Sequence, residues 1–222
     1  MDAFREVSRE AFLSEDMQEF AYDDAPMPIS EGQTISQPFI VARMIDAAGI
    51  GPGDRVLEGG AGSGYAAAVI SRIGKEVTAI ERHEVLATKA SRRIKKLGYE
   101  NCSIIAGDGK KGCADRAPFD AILVAARTTT VPEALKRQLK TGGRLVIPVG
   151  DERLQQLRLV ERTGAQESPR TSPPFASFLF STEWFKRMDL TQVSAQANEL
   201  GLPAGGEKQY DGQTPQAQTG QS

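Results

Sequence analysis

The segment 54–65, with the sequence DRVLEGGAGSGY, constrains the fold more than any other part of this chain. An apolar strand ends there in an acid, Glu58, and then breaks into glycines at positions 59, 60, 62 and 64. Without Cβ atoms the backbone of such a turn can approach a ligand closely, which favours a nucleoside pocket. The dinucleotide-binding pattern Gly-x-Gly-x-x-Gly, and with it an NAD-linked oxidoreductase, is disfavoured, because the third small position, counted from Gly60, is Tyr65.

Strand and helix patterns alternate downstream of this segment. Such alternation predicts an α/β fold with a doubly wound, mostly parallel, Rossmann-like sheet, followed by an antiparallel C-terminal extension at 154–161. An amphipathic helix is expected over 2–20, and a second helix is expected to begin at Pro38 and to stop at Gly49. The predicted strands are 55–58, 77–80, 102–106, 119–124 and 144–149, and the predicted helices between them are 64–73, 84–97 and 132–140.

The chain organises into one domain with a compositionally different tail. We expect one α/β domain over 1–164, with the N-terminal helix and a substrate loop in 1–53 and the nucleoside-binding core in 54–150. Residues 165–200 are an extension of uncertain structure, in which 176–180 is a candidate strand. From 201 to 222 Gly, Gln, Pro and Thr dominate, which predicts disorder.

Composition limits the partners of the chain. The net charge is −2, from 27 basic and 29 acidic residues, so no general attraction to nucleic acid or to an anionic membrane is expected. The two cysteines, Cys102 and Cys113, have neither metal-site nor disulfide-framework spacing, and only one histidine is present. No segment has the ~20 apolar residues of a membrane span. We expect a soluble, cytoplasmic monomer without a metal site.

Acidic residues stand where three consecutive strands end. Glu58 ends the first strand, Glu81 ends the second, and Asp108 follows the third between two glycines. Ligands of open α/β sheets bind beyond the carboxyl ends of the strands, so these acids are placed to contact an amino-acid part, ribose hydroxyls and an adenine amino group. Taken singly, Glu81 is better explained as a solvated acid at a strand end, and Asp108 as a turn former between glycines. Together they favour an adenosyl cofactor, and the turn resembles the first motif of S-adenosylmethionine-dependent methyltransferases.

The chain resembles the protein-L-isoaspartate O-methyltransferase family over about residues 4–162. The resemblance rests on a series of motifs in the family's order: GQTISQP at 32–38, VLEGGAGSGY at 56–65, Glu81-Arg82, Gly107-Asp108-Gly109, APFD at 117–120 and QLKTGGRLVIPVG at 138–150. It implies a catalytic residue, Ser36, and substrate contacts from Thr34, Ile35 and Gln37. It also implies that S-adenosylmethionine is bound by Glu58, Gly59, Gly60, Gly62, Ser63, Gly64, Glu81, Arg82, Asp108 and Gly109.

The expected activity is methyl transfer to the carboxylate of L-isoaspartyl residues in damaged proteins and peptides, which starts repair through a succinimide. A carboxylate is already ionised at neutral pH, so no strong base is needed, and Ser36 is expected to orient the substrate while the loop 22–33 acts as a lid. From its position alone, Ser36 is also a candidate helix cap. His83 is expected to cap a helix or to line the cofactor site.

Two other functions remain open from the sequence. The family's usual apolar C-terminal strand is not recognisable, which leaves room for a carboxyl methyltransferase that acts on another peptide aspartate. It also leaves room for a non-catalytic module that binds the cofactor or isoaspartyl proteins.

Overall fold

The computed structural model describes residues 2–151 and 154–164, together with the short strands at 170–171 and 176–178. Its main sheet has the order β10-β8-β7-β6-β3-β4-β5, with β9 paired to β8, and a separate two-stranded ribbon joins β1 to β2. The predicted fold class is confirmed. The strands are β1 (Met27–Pro28), β2 (Thr34–Ile35), β3 (Arg55–Gly59), β4 (Glu76–Glu81), β5 (Cys102–Ala106), β6 (Phe119–Val124), β7 (Leu139–Gly150), β8 (Gln155–Glu161), β9 (Arg170–Thr171) and β10 (Ala176–Phe178).

Five α-helices accompany the strands in the described part of the chain. They are α1 (Asp2–Glu6), α2 (Pro38–Ala48), α3 (Tyr65–Ser71), α4 (Glu84–Lys96) and α5 (Glu133–Gln138). The helix α2 follows the sequence prediction, with proline in its first turn and with Gly49 in the left-handed conformation (φ 54°) at its end. Within the part of the chain that the structure describes, no helix combines the length and the apolar character that a membrane span needs.

Parallel pairing places the glycine turn at the centre of the sheet. The strand β3 pairs in parallel with β4 on one side and with β6 on the other. The strand order therefore reverses between β3 and β6, and ligands of open α/β sheets bind at such a switch point. The two strands stay joined just past their ends, where the Ala125 amide donates to the Gly59 carbonyl (2.8 Å). Both strands are buried on both faces, as expected of parallel strands covered by helices.

The prediction of one continuous helix over 2–20 is wrong. The helix α1 covers only Asp2–Glu6, and two 3₁₀ turns follow at Arg9–Phe12 and Glu15–Phe20. Ser8 and Ser14, one before each turn, have extended backbones that interrupt a helix. Because of these breaks, Val7, Phe12 and Leu13 all reach the core. On one straight helix these three side chains would point to different sides.

The C-terminal half of the sheet begins earlier than the sequence pattern predicts. The strand β7 starts at Leu139, which pairs with Phe119, and the preceding helix α5 ends at Gln138. The antiparallel extension is present, because β8 pairs antiparallel with β7 and with β10. The predicted disorder of 201–222 and most of the predicted extension over 165–200 lie outside the described residues.

Candidate active site

The glycine turn after β3 has a backbone that only glycine adopts readily. Gly60, Gly62 and Gly64 have φ angles of 91°, 53° and 89°. The amides of Gly60 and Ala61 both donate to the carbonyl of Ile80 on the neighbouring strand, at 2.8 and 3.0 Å. The turn is thus tied to the end of β4 and passes directly into α3.

Glu81 holds this turn through its side chain. One carboxylate oxygen accepts the Gly62 amide and the other accepts the His83 amide, both at 2.9 Å. Each oxygen can accept a further hydrogen bond. The contact of Glu81 with ribose hydroxyls is compatible with this geometry and stays a prediction. His83 occupies the N-cap position of α4, but its side chain makes no capping hydrogen bond.

Glu58 is a buried acid beside the same turn. Its side chain is almost fully buried, and the oxygen Oε2 has no hydrogen-bond partner among the described residues. Burial, with a further contribution from the negative charge of Glu81, raises the pKa of Glu58 to about 8. Such a group stays protonated near neutral pH unless a positive charge is placed against it.

One cleft joins the glycine turn to the loop before α2. Its empty space, including the open mouth, is about 530 Å³. Its lining combines polar groups of the turn and the loop with apolar side chains of α2, α3 and β6. The lining residues are Thr34, Ile35, Ser36, Val41, Met44, Glu58, Gly60, Ala61, Gly62, Ser63, Tyr65, Ala66, Ile70, Leu123 and Ala125.

Ser36 lies on this cleft with its hydroxyl group available. The hydroxyl makes no hydrogen bond to the described residues, and the N-cap of α2 is Gln37 rather than Ser36. Asp24 supplies the capping acceptor from the preceding loop, because its Oδ1 accepts the Phe39 amide at 2.9 Å. The alternative interpretation of Ser36 as a helix cap is therefore wrong.

Other predicted site residues lie beside the cleft without lining it. The Gln37 side chain turns to Asp24 (3.4 Å). Asp108 is exposed and closes its own turn by accepting the Lys110 amide at 3.0 Å. The remaining members of this group are Gly59, Gly64, Glu81, Arg82 and Gly109, none of which belongs to the lining set.

Close packing keeps the loop after β5 next to the glycine turn. A Cβ atom added to Gly109 would lie 3.1 Å from the Cα atom of Gly59, which is tighter than an ordinary van der Waals contact. Asp108 is therefore adjacent to the turn in space, although its carboxylate points to solvent-exposed backbone rather than into the cleft.

The sequence interpretation missed two charged residues that organise the loop before α2. Arg9 is fully buried and its Nη2 donates to the carbonyl of Ser36 at 2.8 Å. Asp24 holds Phe39 and Gln37 from the other side. Neither residue stands in a local motif, and both act over long sequence separations. Among the described residues, no group of three or more possible metal ligands occurs.

Comparison with protein families supports a specific interpretation of this geometry. Residues 1–173 match the family model described as Protein-L-isoaspartate(D-aspartate) O-methyltransferase (PCMT). The chain is 54% identical over 166 residues to Protein-L-isoaspartate O-methyltransferase 1 of Rhodopseudomonas palustris, covering 74% of this chain and 68% of that protein. It is 52% identical over 164 residues to Protein-L-isoaspartate O-methyltransferase of a Roseiflexus species, covering 74% of this chain and 75% of that one.

Solved structures show the same architecture. A structure named protein-L-isoaspartate O-methyltransferase superimposes with a TM-score of 0.71 at 30% identity, covering 88% of this chain but only 64% of that one. A second, from Plasmodium falciparum, is described as a putative protein-L-isoaspartate O-methyltransferase in complex with S-adenosyl-L-homocysteine. It superimposes with a TM-score of 0.65 at 24% identity, covering 81% of this chain and 88% of that one, which shows a shared fold.

Proposed function

Because this chain belongs to the protein-L-isoaspartate(D-aspartate) O-methyltransferase family, we propose that it methylates the carboxylate of L-isoaspartyl residues in peptides and damaged proteins. The methyl ester then starts repair through a succinimide. The observation that carries the proposal is the pair of unengaged groups on one cleft, the hydroxyl of Ser36 and the oxygen Oε2 of Glu58. They flank a glycine turn at the switch point of the sheet, where the two substrates of a methyl transfer can meet.

The residues present fit S-adenosylmethionine as the methyl donor. The unpartnered Oε2 of Glu58 is the buried acceptor that a ligand ammonium group requires, and a cation there offsets the cost of ionising this acid. The glycines of the turn have no Cβ atoms, so a ligand can approach its backbone closely. When bound, the cofactor supplies an activated methyl group on a sulfonium ion. Glu58, Gly60, Gly62 and Ser63 would hold it from the cleft, and Glu81, Arg82, Asp108 and Gly109 would contact it from the flanking strand ends.

The protein's own contribution to the reaction is positioning. The substrate carboxylate is ionised at neutral pH, so the site needs no side chain that removes a proton. The Ser36 hydroxyl can donate a hydrogen bond to one carboxylate oxygen and direct the other toward the methyl group. Thr34, Ile35 and Gln37 flank Ser36 and are placed to contact the peptide backbone. The apolar wall of Val41, Met44, Ile70 and Leu123 excludes water from the far side.

Several finer assignments belong to the same proposal. The loop 22–33 is a candidate lid, because Ile29 approaches the glycine turn closely enough to contact a Cβ added to Gly62 at 3.4 Å. A cytoplasmic monomer without nucleic-acid or membrane partners fits the net charge of −2 and the unpaired cysteines Cys102 and Cys113. The large exposed apolar side chains of the described surface are scattered singly, as in monomers: Tyr22, Val85, Leu97 and Leu154.

A methylation assay on an isoaspartyl peptide beside its aspartyl twin tests the proposal. We expect ester formation on the isoaspartyl peptide alone. We expect Ser36→Ala to lower kcat by about tenfold or more with little change in cofactor Kd, because the hydroxyl acts on the carboxylate only. Equal methylation of the two peptides would instead indicate a carboxyl methyltransferase of another specificity. Tight cofactor binding without any ester would indicate a binding module.

A further inference from the structure

Arg9 is a buried charged residue in direct contact with the backbone of the predicted catalytic residue. It begins the 3₁₀ turn Arg9–Phe12, it has 0% exposure, and its Nη2 donates to the Ser36 carbonyl at 2.8 Å across 27 residues of sequence. Its guanidinium carbon lies 4.8 Å from the ring centre of Tyr65, a residue that lines the cleft. The side chain therefore connects the N-terminal segment to both the loop before α2 and the start of α3.

Burial of this guanidinium is costly. The nitrogens Nε and Nη1 are buried without a hydrogen-bond partner among the described residues, where no carboxylate forms an ion pair with Arg9. Burial also lowers the pKa of Arg9. An apolar side chain of similar size at such a position is commonly as stabilising as a buried charge or more so. Stability alone therefore gives little reason for an arginine here.

The hydrogen bond from Arg9 fixes the backbone of Ser36, at the edge of the cleft. Ser36 immediately precedes Gln37, the N-cap of α2, and Asp24 fixes the other side of this junction through the Phe39 amide. The backbone is thus held from two directions, and the hydroxyl of Ser36 remains free of protein partners. A free hydroxyl contributes to catalysis only if its position is fixed to within a fraction of an ångström.

We propose that Arg9 is a positioning residue for methyl transfer, which acts by holding the backbone of Ser36 so that the hydroxyl meets the substrate carboxylate. This inference rests on the function proposed above. Arg9 itself lies behind the cleft and touches neither substrate. Its effect must therefore depend on the presence of the Ser36 hydroxyl.

A double-mutant cycle tests this dependence. We expect Arg9→Met to lower kcat by about 10- to 100-fold, with the KM for S-adenosylmethionine changed by less than about twofold. In a Ser36→Ala background the same substitution should lower kcat by less than about twofold, because the group that it positions is gone. Arg9→Lys keeps a donor on a flexible stem and should recover part of the loss.

Arg72→Met is the matched control. Arg72 also stacks on a tyrosine, with its guanidinium carbon 4.6 Å from the ring centre of Tyr99, but it has no bond to the loop before α2. Its replacement should leave kcat within about twofold of the parent in both backgrounds. Losses that multiply in the Arg9 and Ser36 double variant would overturn the inference and leave the proposed function intact.

Hydrogen exchange separates the inference from the proposed function. Arg9→Met should speed exchange of the amides of residues 34–39 and leave those of β4 unchanged. If the wild type forms no ester, the proposed function fails, and unchanged exchange at 34–39 would still refute the positioning role. If Arg9→Met does not fold, Arg9→Lys replaces it in the same double-mutant cycle with Ser36→Ala. The inference is refuted if Arg9→Lys lowers kcat by the same factor with and without the Ser36 hydroxyl.

Discussion

Replacement of Glu58 by Gln should change how the stability of the ligand-free protein depends on pH. Glu58 is 1% exposed, and burial, assisted by the charge of Glu81, raises its pKa to about 8 from 4.5. Below pH 4.5 the acid is protonated in both the native and the unfolded states. Between the two pKa values the unfolded chain has lost the proton while the native protein still holds it. The free energy of unfolding of the wild type therefore falls as the pH rises through this window.

The size of this effect follows from the two pKa values. At about 1.4 kcal/mol for each pH unit between them, the wild type loses about 3 to 4 kcal/mol between pH 5 and pH 8. That is a large part of the roughly 5 to 15 kcal/mol by which domains are stable. Gln is uncharged throughout, so the Glu58→Gln variant lacks this contribution and should become the more stable protein as the pH rises. The other titrating groups are shared by the two proteins and, apart from the electrostatic coupling of Glu58 to Glu81 and Cys102, cancel in the difference.

Urea unfolding of both proteins at pH 5, 6, 7 and 8 without cofactor measures the difference directly. The variant should gain on the wild type by about 3 to 4 kcal/mol across this series. A difference that stays constant to within about 1 kcal/mol would refute the reasoning, since it would mean that Glu58 ionises at its ordinary pKa in the native protein. Calorimetry at pH 6 to 7 adds a second readout. Binding of S-adenosylmethionine should release about one proton from the wild type and almost none from the variant.

Two further substitutions test the backbone that supports the cleft. Gly64→Ala forces a φ of 89° on alanine and brings its Cβ to 3.1 Å from Ile104 Cδ1, so urea unfolding should show a loss of about 1 to 3 kcal/mol; an unchanged midpoint would contradict the strain. Asp24→Ala removes the acceptor of the Phe39 amide and should cost about 1 kcal/mol with faster exchange of that amide, whereas Asp24→Asn keeps an acceptor and should cost less. Equal losses for the two Asp24 variants would argue against capping.

Local sequence patterns were sufficient for the central sheet. The strands at Cys102–Ala106 and Phe119–Val124 have the predicted bounds, because each is a short apolar run closed by turn residues. The glycine turn also follows from local sequence, since glycine is the residue that readily adopts its positive φ angles. These parts of the fold depend on neighbours within a few positions, which a sequence pattern records.

Tertiary contacts determine the elements whose bounds were predicted wrongly from the sequence. The start of β7 at Leu139 depends on pairing with Phe119, and the stretch after it contains two glycines that resemble a turn. Its Gly142 amide donates to the Arg162 carbonyl, so the strand is completed by a distant segment. The N-terminal segment fails in the opposite way, because its apolar spacing matches a helix while burial of Phe12 requires a broken one.

The two halves of the candidate site differ in the same respect. Glu58 and the glycines that follow it lie within one short segment, so the sequence alone places the cofactor side. The substrate side is assembled from a hydrogen bond of Arg9 to Ser36 and from the contacts of Asp24 with the start of α2, which span 27 and 15 residues. No local sequence pattern specifies these tertiary contacts, although the motif GQTISQP at 32–38 contains the residue that Arg9 contacts. With the positioning role proposed for Arg9, the N-terminal segment serves the candidate site as well as the core, where it places Val7, Phe12 and Leu13. Replacement of Arg9 should therefore lower kcat before it lowers cofactor affinity.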